Sequence, residues 1–425
     1  MDARIKSGHD GLILMAHGGP LSHVRVLDFT QRLAGPYGTQ MLGDLGADII
    51  KVEPPGGDPT HRTPPHFVAG ESTYYLSINR NKRSILLDLK HEDGKAAALR
   101  LIAKSDVVME NNRPGVMARL GLSYDDLKGD FPGLVYCSIS GFGQDGPDSE
   151  RGALDPVVQA MSGGMSLTGE VGGQSVRAGI PIGDICAGMY ATTGVLAALL
   201  RRDKTGQGEF IDISMLDVQV AMLSYQAAAY LQSGKAPGLQ GRTHDSYALS
   251  YCVRAKDGVD VMIAANQQRA FENLCNTVGR PELIADKRFL SPSDRNRNKT
   301  ALRALMDEAC LTADSKDIIA ALHSVGAPAA VINSIDRAFA EPQVLHRDML
   351  MSLKGGNKDD AVRMAGDPIK LRENPRAHYA YPPHAGQHTR AILKELAGYA
   401  DAEIDRMIAA KAVLELPLSD QAQEF

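Results

Sequence analysis

Short apolar runs alternate with amphipathic segments of helical period through the first half of the chain. Each apolar run indicates a strand, because it is only a few residues long and is bounded by Gly, Pro, Asn or Asp. Helices are predicted over Tyr37–Leu45, directly after Gly35-Pro36, and over His91–Lys104. Strands that alternate with helices predict an α/β fold with a doubly wound, mostly parallel sheet. The predicted strands are Val24–Asp28, Ala47–Val52, Ser84–Leu89, Asp106–Met109, Leu134–Ile139 and Glu209–Ile213.

The second half of the chain changes in composition near Ser233–Thr243, which predicts a linker. Beyond the linker we expect strands over Tyr247–Arg254 and Val259–Ala264 and a helix over Gln267–Val278, a mixture typical of a smaller α+β domain. A second domain is also expected because the chain is too long for one ordinary core. The predicted organisation is a leader at 1–22, a large domain at 23–232, a small domain at 233–335, and a return segment at 336–425 that completes the large domain.

The stretch Gly179–Tyr190 has the pattern of a tight turn that leads into a long apolar helix. Pro181 and Gly183 interrupt the preceding segment, and Asp184 stands where the helix is expected to begin. Asp is a favoured N-cap residue, because its carboxylate accepts hydrogen bonds from the N–H groups of the first turn. The alternative is a reactive carboxylate that small neighbours leave open to a substrate. Taken alone, the stretch favours the N-cap role.

Composition excludes several classes of function. A formal net charge of −5 and the lack of a Lys/Arg stripe argue against nucleic-acid binding, and the absence of Trp argues against stacking of bases or sugars. The five cysteines are scattered without CxxC spacing, so we expect reduced thiols in a cytoplasmic protein. No apolar stretch approaches the roughly 18 residues of a membrane helix, and no His/Cys cluster predicts a metal site.

Ligands of a doubly wound sheet bind beyond the carboxyl ends of its strands. One segment at that edge, Gly141–Gly146, formally matches the dinucleotide fingerprint, but Pro147 and polar residues follow where a helix should begin. We therefore interpret this segment as a flexible loop and predict no tightly bound cofactor. The long segment Glu53–Gly70 is expected to be a functional loop. The residues predicted at the edge are Thr30–Gly35, Glu53, Lys90, Asn111–Arg113 and Ser140–Gly143.

The chain carries a series of short motifs that are specific by their order and spacing, although no single motif is. They are Leu27–Thr30, Ala34–Pro36, Gly46–Glu53, Asn81–Ser84, Leu87-Asp88, Asp106–Asn111, Pro114-Gly115, Ser162–Gly164, Gly183-Asp184 and Gly386–His388. In this order they resemble family III CoA-transferases, the group that contains formyl-CoA and carnitine CoA-transferases and the related methylacyl-CoA racemases. The resemblance extends from about Val24 to about Leu396.

The resemblance implies that Asp184 is the catalytic residue and that coenzyme A, as a substrate, lies across the carboxyl edge of the sheet. The implied CoA contacts are Leu33 and Ala34 at the thiol end or pantetheine arm, Leu87, Asp88, Leu89 and Lys90 at the adenine, Asn111, Asn112 and Arg113 along the pantetheine path, and Arg119 at a phosphate.

The resemblance also implies a fold, an assembly and a reaction. The fold is a Rossmann-like large domain with a smaller α+β domain, and the assembly is an interlocked homodimer. The reaction moves CoA from an acyl-CoA donor to a small carboxylic acid through an aspartyl anhydride and an aspartyl-CoA thioester, because a carboxylate nucleophile conserves the thioester energy. Backbone N–H groups of Gly141–Gly143 would stabilise the oxyanions.

Other functions on the same fold remain open: an acyl-CoA racemase or isomerase, an intramolecular CoA-transferase, and a CoA-binding scaffold without chemistry. The racemase is disfavoured because the segment Arg151–Asp155 lacks the His that racemases carry there. Leu33 and Ser140 stand where formyl-CoA transferases carry Gln and Lys, so oxalate is not the expected acceptor.

Several charged residues have two open interpretations. Asp155 precedes Pro156 and is either the N-cap of its own helix or an active-site acid. Arg62, Arg83 and Arg177 are candidates for holding the second carboxylate of a dicarboxylate substrate, although at least two of them are expected to be structural.

Overall fold

A computed structural model describes residues 18–244, 246–355, 361–374 and 379–415. Residues 1–17 of the predicted leader and 416–425 of the predicted return segment lie outside this range. The strands are β1 Arg25–Asp28, β2 Asp48–Glu53, β3 Phe67–Val68, β4 Glu71–Ser72, β5 Lys82–Leu87, β6 Val107–Glu110, β7 Val135–Ser140, β8 Glu209–Ser214, β9 Thr243–His244, β10 Tyr247–Arg254, β11 Asp260–Ala264, β12 Ala329–Val331, β13 Leu350–Leu353, β14 Val362–Ala365 and β15 Val413–Leu414.

The helices are α1 Ala34–Asp44, α2 Thr73–Ile78, α3 Glu92–Ile102, α4 Val116–Leu120, α5 Tyr124–Leu127, α6 Asp155–Met161, α7 Gly164–Leu167, α8 Ile182–Thr205, α9 Met215–Met222, α10 Ser224–Ser233, α11 Gln268–Thr277, α12 Glu282–Ala285, α13 Pro292–Arg297, α14 Lys299–Cys310, α15 Ser315–His323, α16 Ile335–Ala340, α17 Pro342–His346, α18 Thr389–Glu395 and α19 Asp401–Ala409. A 3-10 turn, Pro59–Arg62, lies within the long loop after β2.

The main sheet has seven strands within the described residues, in the order β15-β5-β2-β1-β6-β7-β8. Neighbouring strands are parallel, except that β15 runs antiparallel to β5 at one edge. Strand order reverses between β1 and β6, and such a reversal is where doubly wound sheets bind their ligands. The predicted α/β fold with a mostly parallel sheet is confirmed.

Both faces of the sheet are covered, which explains why its strands are almost continuously apolar. Val26 and Ile49 face one side, where they pack with buried residues of α1 and α8. Leu27 and Ile50 face the other side, where they pack with α3, α18 and α19. Successive strand residues point to opposite faces, so one short run supplies both cores.

α8 packs against α1 at unusually close range. A Cβ on Gly188 would lie 2.5 Å from the carbonyl oxygen of Ala34, and a Cβ on Gly38 would lie 2.8 Å from the carbonyl oxygen of Gly188. By length and composition α8 is apolar enough to cross a membrane, which the sequence analysis did not anticipate. Ala187 and Val195 of α8 are nevertheless buried against the sheet, as in the core helix of a globular domain.

Buried charges lie beneath the carboxyl edge of the sheet, and each is paired. Lys51 Nζ lies 2.8 Å from Asp58 Oδ2, and Lys82 Nζ lies 3.1 Å from Asp28 Oδ2, with all four side chains buried. Although burial raises the pKa of Asp58, the ammonium of Lys51 lowers it to about 2. These pairs tie the loop after β2 to the strands, because an unpaired charge at this depth would be strongly unfavourable.

A second buried group continues from the first. His61 lies between Glu53, at 2.8 Å, and Glu71, at 2.6 Å. Glu53 also accepts a hydrogen bond of 2.5 Å from the hydroxyl of Ser84. His384 Nδ1, from the far end of the chain, lies 2.9 Å from Glu71. The loop after β2 is therefore fastened both to β5 and to the C-terminal segment.

The chain divides into two compact units. The larger unit contains the described residues of 1–162, 179–224 and 348–425, and the smaller one contains those of 163–178 and 225–347. The sequence-based limits at 232 and 335 lie close to 224 and 347. Residues 163–178 belong to the smaller unit, where the carbonyl of Gly169 accepts a hydrogen bond from the N–H of Gly241.

The smaller unit has its own sheet and core. Its strands run β12-β11-β10-β9, all antiparallel. Helices α11, α14 and α15 cover the sheet, and Phe271, Met306 and Ile318 are fully buried among them. Helices and antiparallel strands on one core make this an α+β unit.

Candidate active site

A cavity of about 700 Å³ opens at the carboxyl edge of the main sheet, where the strand order reverses. Its lining comes from the segments that follow β1, β6 and β7, from the loop after β2, and from the first residues of α6 and α8. All of the lining belongs to the larger unit. The lining residues used below are Arg32, Leu33, Ala34, Tyr74, Asn111, Asn112, Arg113, Arg151, Asp155 and Asp184.

Asp184 lies in this cavity, but it is not the N-cap of its helix, so that sequence-based interpretation was wrong. α8 begins at Ile182, and the N-cap position belongs to Pro181, whose side chain cannot cap. Asp184 is therefore inside the first turn. Its carboxylate is not used for capping because another side chain satisfies the first N–H groups of the helix.

That side chain is Asp155. Its Oδ1 accepts hydrogen bonds from the backbone N–H of Gly183, at 2.7 Å, and of Asp184, at 3.3 Å. Its Oδ2 accepts one of 2.6 Å from Gln159. The sequence left open whether Asp155 caps its own helix or is an active-site acid; the N-cap of α6 is Leu154, and Asp155 instead caps α8 from the lining of the cavity.

Gly183 makes this arrangement sterically possible. A Cβ at this position would lie 2.7 Å from Asp155 Oδ1 and 2.0 Å from Gln219 Nε2. Any larger residue would displace the carboxylate that fixes the start of α8. The glycine before Asp184 is thus required by the close approach of both Gln219 and Asp155.

The environment of Asp184 favours its protonated form. Burial of the side chain, followed by the negative charge of Asp155, raises the pKa of Asp184 to about 7, while the positive charge of Arg32 opposes this shift. A carboxylate with a pKa this high is a stronger nucleophile than an ordinary one, and it is still ionised in a large fraction of molecules near neutral pH.

Asn111, after β6, hydrogen-bonds the backbone of the segment after β1, at the point where the strand order reverses. Its Oδ1 accepts a hydrogen bond of 2.8 Å from the N–H of Gln31, and its Nδ2 donates one of 2.7 Å to the carbonyl of Gln31. Leu33 and Ala34 follow Gln31 and are both almost fully buried, with one surface on the cavity. The structure therefore brings these three predicted residues to the same cavity as Asp184.

Asn112 and Arg113 continue the lining away from Asp184. The N–H of Asn112 donates a 2.7 Å hydrogen bond to Glu110, which fixes the turn after β6. Arg113 is exposed and lies along Gly152, where a Cβ would come within 2.8 Å of its guanidinium. Arg113 also lines a second cavity, of about 440 Å³. The two cavities thus adjoin at this arginine, which suits a long substrate.

The remaining predicted contacts lie outside both cavities. Asp88, Leu89 and Lys90 form the turn after β5, and Arg119 is exposed on α4. Leu87 is fully buried in the core and pairs with Val413 across the sheet edge, so its side chain offers no surface to a ligand. A contact of Leu87 with CoA would have to use its backbone, and the predicted contacts of all five residues remain predictions.

The glycine-rich loop after β7 is only partly available as an oxyanion site. Gly141 lines the cavity, but the N–H of Gly143 donates a 2.9 Å hydrogen bond to Ser140 Oγ. The N–H of Gln144 is likewise used by Asp212, at 2.9 Å. The predicted role of Gly141–Gly143 as a set of free donors is therefore wrong for Gly143.

The arginines proposed for a second carboxylate do not line the cavity. Arg83 pairs with Asp48, at 2.8 Å, and Glu395, at 3.4 Å, on the surface of the sheet. Arg177 donates to the neighbouring carbonyl of Ala178. Arg32 and Tyr74 do line the cavity; the sequence included Arg32 only within the edge segment Thr30–Gly35, without a role, and missed Tyr74.

The sequence contains only a weak indication that these two residues belong to the site. Arg32 lies in the segment after β1 that was predicted at the edge, and Tyr74 lies just past the loop whose length indicated function. Burial, then the charge of Asp184, raises the pKa of Tyr74 to about 12, so its hydroxyl is a neutral donor. In the described part of the chain, no group of three or more His, Cys, Asp or Glu side chains could hold a metal ion.

Comparison with known proteins identifies the family. The sequence profile of CoA-transferase family III matches residues 21–389 of the chain. The chain belongs to family III of the CoA-transferases. The resemblance inferred from the short motifs is thereby confirmed, and the protein is an enzyme that transfers CoA between an acyl-CoA and a carboxylic acid.

Several relatives of this CoA-transferase have named activities. The human succinyl-CoA:glutarate CoA-transferase is 39% identical over 395 residues, which is 93% of this chain and 90% of that protein. The succinate–glutarate CoA-transferase of Agrobacterium fabrum and the acetyl-CoA:oxalate CoA-transferase of Acetobacter aceti are each 38% identical, over 89% of this chain and 96% of theirs. The crystal structure of a CaiB/BaiF family protein from Brucella suis aligns with a TM-score of 0.80 at 37% identity, over 89% of this chain and 99% of that one.

Proposed function

We propose that this family III CoA-transferase works through covalent intermediates on Asp184. The observation that carries the proposal is a half-buried carboxylate with a pKa near 7, placed on a cavity at the ligand-binding edge of the sheet. A thioester that enters the cavity meets Asp184 with little competing water, since the side chain is partly desolvated.

The first half of the reaction exchanges the acyl partner of CoA. A carboxylate oxygen of Asp184 attacks the thioester carbonyl, the C–S bond breaks, and CoA leaves as thiolate from a mixed anhydride. The thiolate then attacks the aspartyl carbonyl and the C–O bond of the anhydride breaks. The donor acid departs as a carboxylate and CoA remains as a thioester on Asp184.

The second half repeats these steps in the opposite direction. The acceptor carboxylate attacks the aspartyl thioester and releases the thiolate, which attacks the acceptor carbonyl of the new anhydride. The new acyl-CoA forms and the carboxylate of Asp184 is restored. No net proton is consumed, so the site needs no general acid.

Trapping tests the proposal. The enzyme is incubated with an acyl-CoA and hydroxylamine, which converts an aspartyl thioester to a hydroxamate, and peptides are then mapped by mass. We expect the mass change on the peptide of Asp184, dependent on acyl-CoA and absent from Asp184→Ala. Full transfer activity in Asp184→Ala would exclude the proposal.

An acyl-CoA racemase is the alternative from the same fold. Residues 151–155, which line the cavity, include no His to act as a second base. Incorporation of solvent deuterium at the α-carbon without any acceptor acid would support the racemase. Product formation with no added acid would indicate intramolecular transfer instead.

We also propose that the enzyme is a homodimer, and the resemblance suggests an interlocked one. Large apolar side chains are exposed on α8, where Met189 is 44%, Tyr190 47% and Leu200 67% exposed. Apolar surface of this kind commonly marks an interface. Native mass spectrometry and light scattering should give twice the 45.6 kDa chain mass. The free cysteines of the described residues agree with a proposed cytoplasmic location.

A further inference from the structure

Three arginines line the cavity that contains Asp184: Arg32, Arg113 and Arg151. Arg151 is already engaged, since its guanidinium lies 3.4 Å from Asp148 and stacks over the ring of Phe142. Arg113 lies where the two cavities adjoin, along the path expected for CoA. Arg32 is the arginine of this cavity whose charge acts on Asp184.

The guanidinium of Arg32 is not neutralised by a carboxylate of the described residues. Among residues 18–244, 246–355, 361–374 and 379–415, none forms an ion pair with Arg32, and this includes Asp184. The charge of Arg32 nevertheless lowers the pKa values of both Asp184 and Tyr74. The cation and the nucleophile therefore line one cavity and interact electrostatically without forming an ion pair.

Hydrogen bonds hold the backbone at Arg32 in place. The backbone φ of Arg32 is +67°, a left-handed conformation that residues other than glycine rarely adopt. The preceding residue is fixed by the amide of Asn111, and the N–H of Arg32 itself points at Asp58 Oδ1, at 3.4 Å. Asp58 is in turn paired with the buried Lys51. An unfavourable conformation persists only where the surroundings determine it strongly, and such sites are often functional.

We infer that Arg32 binds the remote carboxylate of a short dicarboxylic acid while the other carboxyl group reacts at Asp184. The inference rests on the proposed function and names the substrate class of the same site. A guanidinium suits this task because its parallel N–H groups bind a carboxylate in two places. The neutral hydroxyl of Tyr74, on the same cavity, is a further donor for the same group.

This assignment predicts that the enzyme prefers dicarboxylic over monocarboxylic acceptors, and that Arg32→Met reduces this preference. The acceptors are matched pairs of equal chain length, glutarate with pentanoate and succinate with butyrate. Transfer is measured with acetyl-CoA as donor for both pairs, and with succinyl-CoA as donor for glutarate and pentanoate only. We expect the wild type to have the higher kcat/KM for the dicarboxylate of each pair, and Arg32→Met to reduce that ratio roughly 10- to 100-fold, as loss of a charged hydrogen bond does.

Two further variants make the result specific. Arg32→Lys keeps the charge but not the bidentate geometry, so it should retain part of the preference. Arg151→Met removes an arginine of the same cavity that is already paired with Asp148, and its ratio between the two acids should equal that of the wild type. Circular dichroism checks that each variant is folded.

Three outcomes would overturn the inference. Arg32→Met could lower kcat/KM equally for both acids of a pair, or it could raise the KM for acyl-CoA alone, which would assign Arg32 to CoA. A wild type that prefers monocarboxylates would also overturn it. These results differ from failure of the proposed function, in which the wild type transfers CoA to none of the acids and forms no hydroxamate at Asp184.

Discussion

Asp155 and Asp184 are joined by a hydrogen bond in which the carboxylate of Asp155 accepts the backbone N–H of Asp184, at 3.3 Å. The same oxygen holds the N–H of Gly183 more tightly, at 2.7 Å. One carboxylate therefore fixes the start of the helix that carries a second carboxylate, and its charge raises the pKa of that second group. Burial makes the larger contribution to that pKa, and Asp155 adds to it while also fixing the position of Asp184.

The first prediction concerns Asp155→Asn. Asn can still accept the hydrogen bond from Gly183, but it removes a negative charge that raises the pKa of Asp184. Asp184 must be ionised to attack, so activity of the wild type should rise with pH through about 7. In the variant the midpoint of that rise should move down by about one pH unit. The measurement is kcat/KM for acyl-CoA against pH.

Asp212→Asn is the matched control for this experiment. Asp212 is also a carboxylate near the edge of the sheet, but it holds the N–H of Gln144 and is absent from the lining of the cavity. Replacement of Asp212 should leave the midpoint of the rise in kcat/KM with pH unchanged. An unchanged midpoint in Asp155→Asn would show that Asp155 does not set the pKa of Asp184.

The second prediction concerns Gly183→Ala. Alanine normally favours a helix over glycine by about 1 kcal/mol, but here its Cβ would lie 2.0 Å from Gln219 Nε2 and 2.7 Å from Asp155 Oδ1. Both side chains must then move, and Asp184 with Asp155, so kcat should fall about 100-fold. Steady-state kinetics measure the fall, and thermal unfolding shows whether stability accounts for it.

Gly194→Ala in the same helix provides the comparison. A Cβ on Gly194 would meet two methyl groups of the Ile211 side chain, at 3.0 Å and 3.8 Å, and this side chain can adjust. We expect this variant to keep wild-type kcat. Equal losses in both variants would mean that any alanine in α8 disturbs the enzyme, and the specific contact with Asp155 would lose its importance.

The fold was largely predictable because the sheet is buried on both faces. Runs such as Ala47–Val52 place apolar residues on either side of the sheet, and this leaves a clear pattern in the sequence. The start of α8 was placed at Asp184 rather than at Ile182, because its cap comes from Asp155, far away in the chain. A cap supplied by another helix leaves no local signal.

The motifs that revealed the family lie mostly beneath the site rather than in it. Lys82 pairs with Asp28, and Ser84 accepts a hydrogen bond from Gly386 and donates one to Glu53. They support the edge of the sheet, so they predicted the family and the place of the site. Arg32 was predicted only as part of the edge segment Thr30–Gly35, and its individual role could not be, because that role depends on contacts with residues distant in sequence.

The third prediction concerns the pH dependence of stability. Burial lowers the pKa of His61, but Glu53 and Glu71 outweigh this and raise it to about 9. The folded pKa exceeds the unfolded value of about 6.5, so the stabilisation is complete below about pH 6.5 and is lost as pH rises through about 9. The loss should be on the order of 3 kcal/mol of unfolding free energy.

Urea unfolding, followed by circular dichroism from about pH 6 to about pH 9, measures this loss. Lys82 acts in the opposite direction above about pH 8, because burial lowers its pKa to about 8. The variant Glu71→Gln separates the two effects, since it removes one partner of His61 and leaves Lys82 unchanged. The unfolding free energy of this variant should fall less between about pH 6 and about pH 9 than that of the wild type. An identical fall would exclude His61 as its source.

The last prediction concerns Asn111, which the resemblance placed on the path of CoA. Both ends of its amide are occupied by the backbone of Gln31, at 2.8 Å and 2.7 Å, so the structure makes it a positioning residue for the segment that carries Arg32. Asn111→Ala should therefore lower kcat about tenfold, with little change in the KM for acyl-CoA, since the loss is of positioning and not of ground-state binding. It should also weaken the preference for dicarboxylates.

Asn112→Ala separates positioning from contact with CoA. The side chain of Asn112 hydrogen-bonds Glu110, and its nitrogen lies 3.6 Å from the sulfur of Met117, so its contacts are made to β6 and α4 rather than to the backbone of Gln31. We expect this variant to raise the KM for acyl-CoA and to leave the preference between dicarboxylate and monocarboxylate intact. If Asn111→Ala instead raised that KM while kcat and the preference held, Asn111 would be a direct CoA contact. The bonds to Gln31 would then not be what positions Arg32.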